Sequence, residues 1–199
     1  NIMKKIMIIL ACVICLTFGL SSVTFAMEAD VNNGEDFYIT DDTTLADVVQ
    51  HTNPEQYKVM PEIVKESLRQ TYVKDIEDKS NDDAELFAMP PIIGKLNCEC
   101  DRSSITSSSF SYSATFGVSM KCPYGYLEVV IYDNESGKVM TSSYDSGYDT
   151  NLLNVTDTAT NLSPKTKYKV VAFANTIPPE GYVNYTDAVT QTIYVTTRK

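Results

Sequence analysis

The most informative segment of the chain is Leu162-Ser163-Pro164-Lys165-Thr166-Lys167-Tyr168-Lys169-Val170-Val171-Ala172-Phe173-Ala174. Pro164 fixes a turn, and the small and β-branched residues from Val170 onward are typical of a strand. Tyr168 can return its hydroxyl to the backbone before the turn, and Leu162 can fill the core beneath it. The stretch therefore predicts a chain that turns at Pro164, crosses from one sheet to another and enters a buried strand.

Seven of these positions resemble the crossing between strands E and F of fibronectin type III domains. They are Leu162, Pro164, Thr166, Tyr168, Val170, Ala172 and Ala174. The resemblance covers residues 93–199, close to the ~100 residues of such a domain, and 189–197 resembles the closing strand G. It implies a mainly β protein with an antiparallel immunoglobulin-like or fibronectin type III-like sandwich, in which Leu162, Pro164 and Tyr168 are structural.

One departure from the family concerns the core. The family usually buries a Trp on strand B, whereas this chain has no Trp, and Phe116 lies where that Trp would stand. A different immunoglobulin-like sandwich therefore stays an alternative. Residues 95–101, in which Leu96, Cys98 and Cys100 alternate with polar residues, predict an extra strand at the edge.

The strands upstream of the decisive stretch are predicted from period-two alternation. From Phe110 to Lys121, apolar and polar residues alternate, which indicates a half-buried antiparallel strand. Residues 126–133, the turn 134–137 and residues 138–144 predict a hairpin.

The front half of the chain differs in charge and in pattern. Residues 27–93 contain 16 acidic and 5 basic residues, whereas residues 94–199 contain 10 and 9. Thr44 is a candidate helix cap, Asn53-Pro54 a helix start, and apolar spacing predicts an amphipathic helix over 61–76. We interpret residues 27–92 as an acidic helical arm with a polar linker at 77–83. The arm either packs on itself or on the sandwich, or serves as a pro-segment or a partner-docking helix.

The first 26 residues have the three-part pattern of an export signal. Lys4 and Lys5 precede an apolar run over 6–20, and small residues at Thr24 and Ala26 are typical of a cleavage site. We predict cleavage after Ala26, a secreted, extracellular protein and no membrane span after cleavage. The apolar run is shorter than the ~20 residues that a spanning helix needs.

Three cysteines remain after this cut: Cys98, Cys100 and Cys122. Cys98 and Cys100 share one face of a strand, a poor geometry for bonding each other. If the strands holding Cys100 and Phe110 form a simple hairpin, Cys122 lies beyond reach of both. We expect unpaired thiols or an intermolecular disulfide, with a bond from Cys122 to Cys98 or Cys100 as the alternative. The spacing does not favour zinc, and we predict no cofactor.

The family topology would gather three loops, at 123–126, 145–149 and 176–185, at one end of the sandwich. Five tyrosines would cluster there: Tyr124, Tyr126, Tyr148, Tyr182 and Tyr185. Because Tyr offers a large rigid surface at small entropic cost, recognition loops favour it. We predict a binding or adhesion module for an extracellular protein or glycan; the alternative is that these tyrosines only fill loop positions.

Other functions find less support in the sequence. A protein this acidic is a poor partner for nucleic acid, whose binding needs Lys and Arg. Asp145, Asp149 and Asn151 lie close together, but their spacing does not match a calcium loop. No catalytic motif is present, so we predict a protein that is not an enzyme. The alternative is a small secreted accessory domain or a hydrolase that bears a pro-segment and uses paired carboxylates.

Overall fold

The computed structural model describes residues 27–29, 36–77, 91–184 and 188–199. Over these residues the protein is mainly β, with an antiparallel main sheet preceded by a short helical region. The predicted fold class is confirmed at this level. The predicted export signal and residues 78–83 of the predicted linker lie outside the described residues.

The main sheet consists of six strands. Its order is β1-β5-β4-β6-β8, and β3 pairs with β4 beside this path, while β2 and β7 form a separate parallel pair. The strands are β1 (Met27–Ala29), β2 (Pro91–Ile92), β3 (Gly94–Cys100), β4 (Phe110–Asp133), β5 (Val139–Ala159), β6 (Lys167–Ile177), β7 (Val183–Asn184) and β8 (Val189–Thr196).

Two long strands, β4 and β5, curl the sheet around its core. The first half of β4 pairs with β3 and the second half with β6, while β5 follows both halves, with an irregularity between Gly117 and Cys122. The predicted loops at 123–126 and 145–149 are therefore wrong, because both segments lie inside these strands. Tyr124 pairs with Tyr148 on one side and with Ile177 on the other, so the ladder continues where Pro and Gly suggested a turn.

The inner core lies between the two halves of the curled sheet. Phe110 and Phe116 from the first half of β4 belong to the same buried cluster as Leu127 and Ile131 from its second half. The predicted inward face of the first half is confirmed, and Phe116 is buried as expected. Leu162 and Tyr168 complete this cluster, and the Ser163 backbone N–H donates a hydrogen bond to Tyr168 Oη at 2.8 Å.

The helical region comprises α1 (Leu45–Thr52), α2 (Pro54–Val59), α3 (Glu62–Arg69) and a 3-10 helix (Val73–Glu77). Thr44 caps α1 as predicted, in a reciprocal capping box with Asp47. The predicted helix over 61–76 is wrong in its extent. It ends near Gln70 because the next residues pair with the chain before α1, where the Val73 N–H donates to the Thr43 carbonyl at 2.9 Å.

The helices form a layer on the outer face of the sheet. Their buried residues Val49, Val64 and Leu68 belong to a second apolar cluster together with Val130 of β4 and Phe173 of β6. The second half of β4 is therefore buried on both faces, and its residues 124–132 are all buried. The described part of the predicted arm therefore packs on the β-sheet.

The outer edge of β5 is blocked along much of its length. Its first part is covered by β1, which pairs with residues 142–144. In its second part, side chains accept from backbone N–H groups that point away from β4: Asn154 N donates to Asp145 Oδ2 at 2.9 Å and Thr158 N to Asp157 Oδ1 at 2.7 Å. Such capping protects an edge from pairing with another chain.

Candidate functional site

The three segments in which we predicted binding tyrosines do meet at one end of the sheet. Tyr124 of β4 is the meeting point, since it pairs with Tyr148 of β5 and with Ile177, the last residue of β6. The segment after Ile177 turns there, with the Tyr182 N–H donating to the Pro179 carbonyl at 3.1 Å. The three segments therefore lie together, although two of them are strands rather than the loops that we predicted.

Tyr148 is the exposed member of this group. Its side chain is 72% exposed, whereas Tyr124 beneath it is 2% exposed. The two rings meet edge to face, with 5.2 Å between centroids and an interplanar angle of 62°. Such aromatic pairs contribute about 0.5–1.5 kcal/mol beyond the area that they bury. The contact therefore holds an exposed ring against a buried one.

Tyr124 is fixed in turn by α2. Gln56 Nε2 donates hydrogen bonds to Tyr124 Oη at 3.0 Å and to Ser146 Oγ at 3.1 Å. Burial raises the pKa of Tyr124 to about 12, so its hydroxyl stays protonated at neutral pH. We call Tyr148, Tyr124, Gln56 and Ser146 the Tyr148 platform.

A charged pair lies next to the platform in the chain. Asp149 follows Tyr148 with a φ of 50°, and its carboxylate accepts from Lys121 Nζ at 3.1 Å. Both side chains are well exposed, as is Leu152, which is 53% exposed. An aromatic ring, an acidic group and an apolar side chain thus lie within five residues of β5, and the ion pair brings Lys121 of β4 to Asp149.

Of the other predicted tyrosines, Tyr126 does not share this surface. Tyr126 is fully buried between sheet and helices, where it stacks on Tyr144 at 5.9 Å and contacts Phe173 at 6.3 Å between centroids. Tyr182 is half-buried in its turn, and Tyr185 lies outside the described residues. Because the helical layer covers the outer face of β4, alternate residues of this strand face helices rather than solvent.

A buried carboxylate that the sequence analysis missed lies beneath the helices. Glu128 is fully buried, and its Oε1 accepts from Thr52 Oγ1 at 2.7 Å and from Asn53 Nδ2 at 2.9 Å. Tyr126 Oη donates to Oε2 at 2.5 Å. Burial raises the pKa of Glu128 to about 7, although these donors act against the rise. A lone acid inside the apolar run 126–132 was the signal that could have revealed it.

A second polar network closes the inner core near the edge of β5. Tyr112 Oη donates to Ser143 Oγ at 3.0 Å, and Ser143 Oγ donates to Asp157 Oδ2. Burial raises the pKa of Tyr112, so its hydroxyl remains a donor. A serine nucleophile needs an adjacent general base that accepts its proton. Within the described residues, Ser143 bonds to a carboxylate and to a tyrosine hydroxyl but to no histidine, which fits a structural network.

Two open clefts lie away from the platform. One, of about 580 Å³, lies between residues 37–43 and α1, and its lining includes Asp42, Asp47 and His51. The other, of about 490 Å³, lies beside Cys100, with Glu99 and Arg102 in its lining. Most of the residues that line both clefts are polar or charged, whereas hydrophobic and aromatic residues predominate in a typical site for a small organic ligand.

The three cysteines of the described chain are all unpaired. Cys98 and Cys122 are buried, and Cys100 is half-buried. The hairpin of β3 and β4 places Cys98 opposite Ala114 and Cys100 opposite Tyr112, as the sequence argument assumed. The disulfide from Cys122 to Cys98 or Cys100, our stated alternative, does not form.

No group of three or more His, Cys, Asp or Glu side chains in the described ranges is arranged to hold a metal ion. None of the helices that the structure describes has the length and apolar character needed to cross a bilayer.

Comparison with known proteins gives little further guidance. The sequence matches no known protein family and no curated protein. Two structures of the sensor domain of the anti-sigma factor RsgI4 from Pseudobacteroides cellulosolvens are similar to this chain. The structure of the long form has a TM-score of 0.33 and 14% sequence identity, and the match covers 52% of this chain and 90% of that chain. The structure of the short form has a TM-score of 0.35 and 15% sequence identity, and the match covers 54% of this chain and 95% of that chain.

A β-glucuronidase from Bacteroides uniformis is also similar, with a TM-score of 0.33 and 10% identity over 51% of this chain. The similar part covers only 13% of that enzyme. TM-scores below 0.5 at these identities carry no inference about function.

Proposed function

We propose that the protein is a secreted, non-enzymatic binding module that recognises a glycan at the Tyr148 platform. The observation that carries this proposal is the exposure of the Tyr148 ring, 72%, although the ring rests on the buried Tyr124. An exposed aromatic ring loses little freedom on binding when it is already held in place.

The shape and chemistry of the platform favour a sugar over a deeply bound small molecule. The apolar face of a pyranose can stack on a flat ring such as that of Tyr148. The carboxylate of Asp149 and the ammonium of Lys121 can exchange hydrogen bonds with hydroxyl groups beside it. A strand-based platform of this kind needs no deep pocket, which agrees with the open surface at this end of the sheet.

We also propose that the sandwich is of the fibronectin type III type. In that interpretation, β3, the first half of β4 and the second half of β5 form one sheet, and the remaining halves with β6 and β8 form the other. The pairing order and the hydrogen bond from Ser163 N to Tyr168 Oη support it. The strands that the family separates by loops are here joined into two long bent strands.

Export remains part of the proposal. The predicted cut after Ala26 would leave Met27 as the first residue, and Met27 begins β1, where it pairs with Tyr144. N-terminal sequencing of the protein recovered outside the cell would test this, since we expect Met27 first; a chain that retains residues 1–26 would contradict it.

The binding proposal is tested by gel retardation in soluble polysaccharides, for example xylan, mannan and mixed-linkage β-glucan. We expect at least one polysaccharide to retard the wild-type protein and to lose this effect with Tyr148→Ala. Tyr194→Ala is the matched control, because Tyr194 is also exposed, at 47%, but lies on β8. If no polysaccharide retards the wild type, or if both variants behave alike, the glycan proposal is wrong.

A further inference from the structure

Glu128 joins two parts of the fold. It lies on the face of β4 that the helices cover, and two of its donors, Thr52 and Asn53, come from the junction of α1 and α2. On the sheet its neighbours are Tyr144 of β5 and Phe173 of β6. Its carboxylate therefore holds the helix junction to the middle of the sheet.

The polar groups around this carboxylate in the described residues are neutral. They are the hydroxyls of Thr52, Ser142 and Tyr126 and the amide of Asn53, and none of the ion pairs within the described part of the chain includes Glu128. A buried charge without a cation is unfavourable, even when hydrogen-bonded. The protonated form, in contrast, keeps a neutral network.

The same junction also supports the Tyr148 platform. Asn53, which binds Glu128, and Gln56, which binds Tyr124, are three residues apart and lie at the start of α2. Residues three apart share one side of a helix. Loosening of the junction at Glu128 would therefore also release Gln56 from Tyr124.

We propose that Glu128 is a pH-sensitive latch that fastens the helical layer to the sheet when it is protonated and loosens the layer when it ionises. The burial that raises the pKa of Glu128 from 4.5 to about 7 supports this sign. A carboxyl group whose pKa is raised by folding stabilises the folded state fully at a pH below its pKa in the unfolded chain, near 4.5. This stabilisation is lost progressively as the pH rises to about 7. The effect on ligand binding, through Gln56, rests on the function proposed above.

Few other groups near the latch can titrate. Tyr126 and Tyr144 face Glu128 from β4 and β5, and burial raises the pKa of both. From β6 the facing residue is the apolar Phe173. On α1, His51 precedes Thr52, and its ring stacks on Phe37 with 4.5 Å between centroids. Because His51 is an ionisable side chain directly beside Thr52, it needs its own control.

Hydrogen–deuterium exchange without any ligand tests the latch directly. Exchange of residues 45–69, corrected for the intrinsic pH dependence, is compared at pH 5.5 and pH 8. If opening exposes Glu128 to water, linkage predicts an opening constant on the order of 20-fold larger at pH 8. Glu128→Gln, which mimics the protonated form, should abolish this difference, and His51→Gln should retain it. Equal exchange at both pH values in the wild type, or loss of the difference in His51→Gln, overturns the proposal.

A second measurement keeps the test independent of how Glu128→Gln folds. Carbon-13 NMR of the glutamate carboxyl groups in the wild type should show one group with a midpoint near pH 7. Thr52→Val removes one donor that stabilises the ionised form and should move this midpoint to higher pH. A midpoint near 4.5 in the wild type would contradict the latch. Because neither measurement uses a ligand, a failure of glycan binding would leave this result unaffected.

Discussion

The backbone N–H of Ser163 donates a hydrogen bond to the hydroxyl of Tyr168 at 2.8 Å, across the turn that leads into β6. The Tyr168 ring is 1% exposed and lies 6.3 Å from the Phe110 ring between centroids. The turn and the inner core are thus tied together by one side chain.

Removal of the Tyr168 hydroxyl should weaken this tie while leaving the core filled. We expect Tyr168→Phe to lower the free energy of unfolding by about 1–2 kcal/mol, because the Ser163 N–H loses its partner. Tyr148→Phe is the control and should change stability by less than about 0.5 kcal/mol, as surface substitutions usually do. Urea denaturation of both variants measures the difference; equal midpoints would show that the bond contributes nothing.

The helical layer should behave as part of the folded core rather than as a removable arm. Leu68 of α3 is fully buried against the sheet, whereas Ile63 on the same helix is 63% exposed. We expect Leu68→Ala to cost about 2–5 kcal/mol and Ile63→Ala less than about 0.5 kcal/mol. Thermal unfolding followed by circular dichroism at strand and helix wavelengths would check this. If Leu68→Ala alters only the helical signal, the helices fold separately from the sheet.

The thiols should differ in reactivity according to burial. Burial raises the pKa of all three thiols, that of Cys98 to about 12, but Cys100 is half-buried whereas Cys98 and Cys122 are buried. Because the thiolate is the reactive form, a thiol reagent at pH 8 should label Cys100 first in the native protein. Peptide mass spectrometry after timed labelling identifies the site. Early labelling of Cys98 or Cys122, or a disulfide between them, would contradict the structure.

Sequence patterns predicted correctly those parts of the fold that depend on interactions between residues close in the chain. The Tyr168 turn, the alternation over 110–116 and the cap at Thr44 all reflect interactions between residues close in the chain. The two long strands did not follow from such rules. Pro123 and the glycines near it are typical of a loop, but cross-strand pairing of Tyr124 on both sides keeps this segment in the sheet.

The candidate site was harder to predict because burial there depends on the helices. Tyr124, Tyr126 and Tyr148 all fit a recognition surface by composition. The helical layer, however, covers the first two and leaves Tyr148 exposed. The contacts of Gln56 with Tyr124 and of Asn53 with Glu128 join residues about 70 positions apart, a distance at which sequence spacing has no predictive value.

The binding proposal is tested most directly by calorimetric titration. The ligand is the polysaccharide that most strongly retards the wild-type protein. We expect Tyr148→Ala to raise the dissociation constant at least tenfold, which corresponds to about 1.4 kcal/mol of binding free energy. Tyr124→Phe should raise it less, because the supporting ring remains and only the hydrogen bond from Gln56 is lost. Tyr194→Ala should bind as the wild type does. Unchanged affinity in Tyr148→Ala would contradict the proposal that this platform is the binding site.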